Sequence, residues 1–439
     1  MTAASRARRL DPELDILVLE ASRFISYSIC GLPYYVAQVV GRHSDLVQFT
    51  PESLREERGI RALTGTRVSE IMPGRRRIRY VRMESGEETV IGYEKLVLAT
   101  GYHPRLPRFL PEHQVGGLLA FSRLEHGLQL RDLTRSRPQA VVVGAGYIGL
   151  MMAEALIALG LSVTLLERGR QVFSQIDPDM AELVQSELEK NGVRVLLETR
   201  ASGIVEERGR IRALEIGRGS VPCDLALVDV GVRPNTDLAQ RAAIPLGMSG
   251  GVQVNRRGMT DLAGIFAAGN CAETTHRVTG KPLVSSLGTT AAKQGRVVGE
   301  NLAGMRSEFA GTLETCIEKV FNLGVARTGL TSRQAFTSGF EADSVRIEAR
   351  DRAAYYPDAQ PVHVKLVFER KTLRLLGGQI IGAGHAAKRI DTLVAALTAE
   401  MGIRDLAQLD LAYAPPFGTL WDPIQIAANV ALRKDGSGF

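Results

Sequence analysis

Cysteine is scarce in this 439-residue chain, with four residues at positions 30, 223, 271 and 316. Thiols so few and so widely spaced form no disulfide framework, and a reducing cytoplasm is the expected setting. Aromatic residues make up only 5%, tryptophan occurs once, and the basic side chains are scattered rather than clustered. That excludes a nucleic-acid platform, even though a formal charge of +6 suits an anionic small molecule. No metal is expected. An apolar leader is lacking too, since Arg6, Arg8 and Arg9 have no hydrophobic run behind them. The stretch from Pro138 to Leu166 carries only Glu154 as a charge, but glycines break its first third. It reads as a buried strand, turn and helix, not a membrane span. What remains is ordinary for a soluble globular protein: 45% apolar and 23% charged residues, in a length that implies two to four domains.

Cys30 is the most informative residue present. It sits in Ser26-Tyr27-Ser28-Ile29-Cys30-Gly31-Leu32-Pro33-Tyr34-Tyr35, ten residues after an apolar strand ending in Glu20. Gly31 and Pro33 suit a helix start, where proline's missing N–H costs nothing. A thiol before a helix N-terminus faces unpaired N–H groups and the positive end of the dipole, which favours the thiolate that attacks disulfides. No second cysteine lies two or five residues away, so a redox-active Cys30 must take its partner sulfur from outside the chain. The alternative for a lone cysteine is a buried, inert thiol. Cys223, Cys271 and Cys316 sit in no partnered motif and read as structural.

The second signal is a dinucleotide-binding unit. Ala140 to Val143 reads as a buried parallel strand, Gly144-Ala145-Gly146-Tyr147-Ile148-Gly149 as a phosphate-binding turn, and Leu150 to Leu159 as a helix. Gly144 allows the tight turn, Gly146 lets the pyrophosphate approach backbone, and Gly149 lets helix and strand pack closely. A second strand, Ser162 to Leu166, ends in Glu167, 23 positions after Gly144. An acid there accepts hydrogen bonds from the adenosine ribose and favours NADH, although Arg168 beside it leaves NADPH open. Three further strands run into turns: Tyr93 to Leu98 into Ala99-Thr100-Gly101, Leu225 to Val230 into Gly231, and Gly264 to Ala268 into Gly269-Asn270. A helix over Thr289 to Leu302 offers its N-terminus to negative charge.

Together these residues resemble the FAD-dependent pyridine nucleotide–disulfide oxidoreductases, in the single-cysteine branch of the coenzyme A-disulfide reductases, near NADH oxidases, peroxidases and NADH-dependent persulfide reductases. The resemblance covers essentially the whole chain. It implies an α/β fold of two Rossmann-like dinucleotide-binding domains plus a C-terminal α+β dimerisation domain. FAD binding is expected over 1–107 and 238–310, NAD(P)H binding over 108–237, and dimerisation over 311–439. It implies that Cys30 faces the flavin and that Ser26 and Tyr27 line the substrate site. Thr100, Gly101 and Asn270 would contact FAD, with Asn270 standing where the family usually has aspartate. Glu20 would accept the FAD ribose. Tyr413 and Tyr356 would reach across a homodimer to the partner's cysteine, and Arg9 and Arg58 would meet coenzyme A phosphates. Arg75, Arg76 and Arg77 read instead as an exposed hairpin.

One departure stands out. The family begins with a strand and a glycine-rich loop, and here the first helix, Met1 to Pro12, comes without them. A longer functional chain is the expectation, and no sulfur-transferase domain is expected after Trp421-Asp422-Pro423. Two other functions stay open: an NADH oxidase or peroxidase cycling Cys30 through a sulfenic acid, and a flavin-free NAD-binding homologue without activity.

Overall fold

The computed structural model describes residues 1–121, 123–136 and 139–434; Pro138 and residues 435–439 lie outside them. The middle of the chain forms five parallel strands in the order Leu118–Ala120, Leu225–Val228, Gln139–Val143, Ser162–Leu166, Arg194–Leu196. Its central strands are apolar along their length because both faces are covered. Ala140 and Val142 face the helices Tyr147–Ala158 and Pro178–Lys190, while Val141 and Val143 face the antiparallel meander Ala201–Glu207, Arg210–Ile216, Ser220–Pro222. The helix expected from Leu150 starts at Tyr147, because Gly146 already occupies the N-cap.

The flanking segments build a second α/β unit. Leu17–Leu19 pairs in parallel with Arg61–Leu63, and Leu96–Leu98 with Ile265–Ala267. These are separate two-stranded sheets, and among the described residues no strand joins them. Helix Thr2–Leu10 lies against helix Gly288–Leu302, where glycine permits the close approach: a Cβ on Gly299 would stand 2.6 Å from the Ala3 carbonyl oxygen. The arginine-rich turn at 75–77 is an exposed hairpin.

The C-terminal region is a five-stranded antiparallel sheet, Cys316–Val320, Leu323–Gly329, Leu375–Ala383, Pro361–Glu369, Ala342–Arg350, backed by helices Ile390–Thr398 and Pro423–Lys434. A buried polar network fastens it to the middle domain. The Asp177 carboxylate accepts hydrogen bonds from Ser332 N (3.1 Å), Ser332 Oγ (2.7 Å) and Gln379 Nε2 (2.9 Å), and pairs with Lys365 Nζ at 3.2 Å. Burial alone would raise the Asp177 pKa, but Ser332, Lys365 and Gln379 outweigh it and hold the group below the usual carboxylate range. A depressed folded-state pKa means stability that is complete above the unfolded value of about 3.9 and is lost as pH falls through the folded one. Asp177→Ala leaves Lys365 underpaired and is expected to cost about 3 kcal/mol. Its urea midpoint should fall at pH 7 and match the parent's more closely in strong acid; an unchanged midpoint at pH 7 would refute this.

Candidate functional site

The glycine turn is fixed by contacts that admit no side chain. Gly144 has φ +103°, and a Cβ there would lie 1.9 Å from the Asp229 carbonyl oxygen. A Cβ on Gly149 would lie 1.9 Å from the Gly144 carbonyl oxygen. Gly146 has more room, with its Cβ position 3.7 Å from Asp229 Oδ2. The Glu167 carboxylate bridges the turn, accepting from Ala145 N at 2.9 Å and Gly169 N at 2.7 Å. Each oxygen keeps a lone pair for a ribose hydroxyl. Asp229, at the end of the neighbouring strand, was not singled out in the sequence. Burial pushes its pKa up, opposed by backbone N–H groups of Gly231 and Gly149.

Strand Ser26–Tyr27 leads to Cys30, pairing with Val47–Phe49, and Gly31 N bonds back to Ser28 O at 3.0 Å. Gly31 packs so tightly that a Cβ would meet Leu46 Cδ2 at 2.4 Å. Leu32 and Val36 are fully buried in the core shared with the middle domain, so the cysteine loop is anchored from below. Cys30 itself is exposed, whereas Cys223, Cys271 and Cys316 are buried. The expected thiolate bias is not found. Helix Leu32–Val36 is only five residues long and is preceded by a single 3₁₀ turn, Ile29–Gly31, so little dipole reaches the sulfur. Desolvation by the surrounding protein, and then the charge of Glu318, push its pKa up.

Tyr102 ties the two halves of the site together. Burial pushes its hydroxyl up to about 12, and Cys30, Asp229 and Tyr27 add to the effect through their charges. Tyr102 is thus within electrostatic reach of both the cysteine and Asp229 beside the glycine turn. Tyr147, first in the middle-domain helix, has its hydroxyl 2.7 Å from Cys316 Sγ. Sequence patterns missed Tyr102, Asp229, Tyr147 and Glu318, because each comes from a different part of the chain.

Strand Leu96–Leu98, half-buried until Leu98, ends in exposed Ala99 and Thr100, and the space around Gly101 (φ +68°) is open. Thr100 Oγ1 donates to Asn235 O at 2.6 Å, and Asn270 Nδ2 donates to Ser285 O at 2.9 Å. Gly288 and Thr289 expose the N-terminus of a 15-residue helix to the same side. Glu20 Oε1 accepts from Ser22 N at 2.7 Å, leaving its second oxygen for a ribose. The open backbone at Gly101, the free Glu20 oxygen and the exposed helix N-terminus are chemically compatible with a flavin dinucleotide, and no glycine turn precedes the first helix among the described residues.

Ser26 is half-buried beside Tyr27, whose pKa burial raises, with Glu125 and Glu20 adding to it. Arg9 is exposed on the first helix, and Arg58 stacks 5.3 Å above the Phe49 ring. Tyr413 bonds Tyr355 on an exposed surface of the C-terminal domain that also carries Tyr356, Phe417 (80% exposed), Leu420 and Trp421. Exposed large apolar side chains gathered in one domain suit an interaction face. The described residues hold no cluster of metal-ligating side chains and no helix long and apolar enough to cross a membrane.

Comparison with known proteins decides the family. Residues 1–295 match the model described as pyridine nucleotide-disulphide oxidoreductase, and 317–422 match that family's dimerisation domain. The chain belongs to the pyridine nucleotide-disulphide oxidoreductases. This family is FAD- and NAD(P)H-dependent. Among relatives, a CoA-dependent NAD(P)H sulfur oxidoreductase of Pyrococcus furiosus is 34% identical over 98% of this chain and 96% of its own. An NADH oxidase of Methanocaldococcus jannaschii is 33% identical over 99% and 96%. The solved NAD-dependent persulfide reductase from A. fulgidus superposes with a TM-score of 0.95 at 37% identity, covering 99% of this chain and 81% of that one.

Proposed function

We propose that this NAD(P)H-dependent oxidoreductase reduces coenzyme A disulfide and the corresponding persulfide through Cys30. The observation that carries this reading is the solitude of that thiol: it alone among the four is exposed. With no internal sulfur to close on, its covalent intermediate must be a mixed disulfide with the substrate. The thiolate attacks one sulfur, the substrate S–S bond breaks, and two electrons from NAD(P)H then free the bound thiol. Bound FAD supplies the two-electron chemistry between nicotinamide and sulfur, held by Thr100, Gly101, Asn270 and Glu20. NADH is favoured over NADPH because Glu167 is acidic and stands where a 2′-phosphate would go.

The working unit is a homodimer in the reducing cytoplasm. Residues 1–107 and 238–310 hold FAD, 108–237 hold the nicotinamide nucleotide, and 311–439 pair the copies. The exposed aromatic face supports the pairing, and Tyr413 and Tyr356 of a second copy assist departure of the sulfur. Arg9 and Arg58 receive the coenzyme A phosphates. Nucleotide oxidation should be fast with coenzyme A disulfide or persulfide and slow with oxygen alone. Faster turnover with oxygen or peroxide would replace this reading with an oxidase cycling through a sulfenic acid.

A further inference from the structure

Asp229 is an acid set beside the glycine turn, on the flank opposite Glu167. The strand that feeds the turn, Gln139–Val143, lies between Leu225–Val228 and Ser162–Leu166. Val143 pairs in register with Val228 on one side and Leu166 on the other. The residues that follow the three strands are Asp229, Gly144 and Glu167, so the two acids stand level with the first glycine. Backbone bonds fix this level: Asp229 N donates to Val143 O and Gly144 N to Leu166 O, each at 2.8 Å. The Asp229 carbonyl oxygen closes against Gly144, and its carboxylate Oδ2 lies 3.7 Å from the Cβ position of Gly146.

The two acids are not equivalent in the topology. The chain runs outward from Gln139–Val143 through Ser162–Leu166 to Arg194–Leu196, then returns to place Leu225–Val228 on the other side. Ligands of such sheets lie past the carboxyl ends of the strands, where the order reverses, and Asp229 stands at that reversal. With the adenosine ribose on the acid after the second strand, the pyrophosphate crosses the glycine turn and the rest of the dinucleotide extends over the Asp229 side. That side leads to the Thr100–Gly101 turn. Just after Asp229, Val232–Pro234 pairs with Tyr102–Pro104. Asn235 then donates from its N–H to Gly101 O at 2.9 Å and from Nδ2 to Thr100 O at 2.7 Å.

The carboxylate also has acceptor capacity to spare. The backbone N–H groups of Gly149 and Gly231 are its partners, and no cation offsets its burial. A carboxylate carries about four lone-pair sites, so two N–H groups leave room for hydroxyl donors. Hydroxyls arriving with a ligand would offset the cost of keeping an acid half-buried there.

We infer that the Asp229 carboxylate accepts hydrogen bonds from the hydroxyls of the second ribose, the one that carries the nicotinamide. Glu167 takes the adenosine ribose on one flank of the turn and Asp229 fixes the other half, which holds the nicotinamide on the Thr100–Gly101 side. This rests on the nucleotide lying over the glycine turn and is independent of the disulfide reading.

The test is calorimetric titration of the full-length protein with ADP and with ADP-ribose, since ADP-ribose carries the second ribose and ADP does not. Asp229→Ala should weaken ADP-ribose about tenfold, the loss of a hydrogen bond to a charged acceptor. ADP should bind that variant as tightly as the parent or more tightly, because a negative charge near its phosphates is gone. Glu167→Ala, on the adenosine flank, should weaken both ligands alike. Should Asp229→Ala not fold, Asp229→Asn keeps the shape of the side chain and should weaken ADP-ribose about threefold. ADP-ribose binding that is unchanged or tighter, or equal weakening of both ligands by the Asp229 substitution, overturns the inference alone. A parent that binds neither ligand overturns the placement of the nucleotide at the turn, and the inference with it.

Discussion

Cys30→Ser is expected to lower disulfide turnover by on the order of 10³-fold or more. A serine hydroxyl is not ionised near neutrality and forms no mixed disulfide, so the covalent route closes. No other thiol is placed to replace it, because Cys223, Cys271 and Cys316 are all buried and Cys316 is engaged with Tyr147. Stability should hardly change, since Cys30 is exposed and the loop is anchored through Leu32 and Val36. Binding of NADH at the glycine turn and reduction of the protein by NADH should persist. The measurements are steady-state turnover with coenzyme A disulfide, a nucleotide titration and a thermal melt on the same preparation. Turnover equal to the parent's would remove Cys30 from the chemistry altogether.

Gly149→Ala is expected to disable the nucleotide site and destabilise the middle domain together. The added Cβ would overlap the Gly144 carbonyl oxygen at 1.9 Å. That neighbour is backbone between a buried strand and a helix, so it cannot swing aside as a side chain would. A cost of about 3 kcal/mol follows from overpacking, with nucleotide affinity falling about 100-fold as the turn deforms. Gly146→Ala is the control. Its Cβ position is 3.7 Å from the nearest atom outside the turn, Asp229 Oδ2, which is ordinary contact. It should melt like the parent yet bind NADH more weakly, because the methyl stands where pyrophosphate approaches backbone. If Gly149→Ala melts and binds like the parent, the packing argument fails.

The legible parts of this protein were those whose chemistry is contiguous. The nicotinamide turn is one strand, one loop and one helix within about thirty residues of sequence, and Gly144 and Gly149 have the steric reasons their spacing implied. The cysteine run was equally local, but the rule applied to its ionisation was incomplete. A helix N-terminus favours a thiolate only when the helix is long enough and no anion stands closer. Here the helix is five residues long, and desolvation by the surrounding protein, then Glu318 nearly three hundred positions away, raise the thiol's pKa instead. Glu167 shows the same limit in a milder form. Its position was foreseen, while its hydrogen bonds to Ala145 and Gly169 depend on how the loop folds back.

The sequence by itself determined the strand and helix periods, the glycine turn and the one thiol free of local partners, because these follow from short-range sterics and spacing. Only the tertiary structure decided what surrounds that thiol. Tyr102, Asp229, Tyr147 and Glu318 come from four separate parts of the chain, and their effects on one another and on Cys30 exist only once those parts are packed. Electrostatic environment depends on distance and burial, and neither is written along the chain.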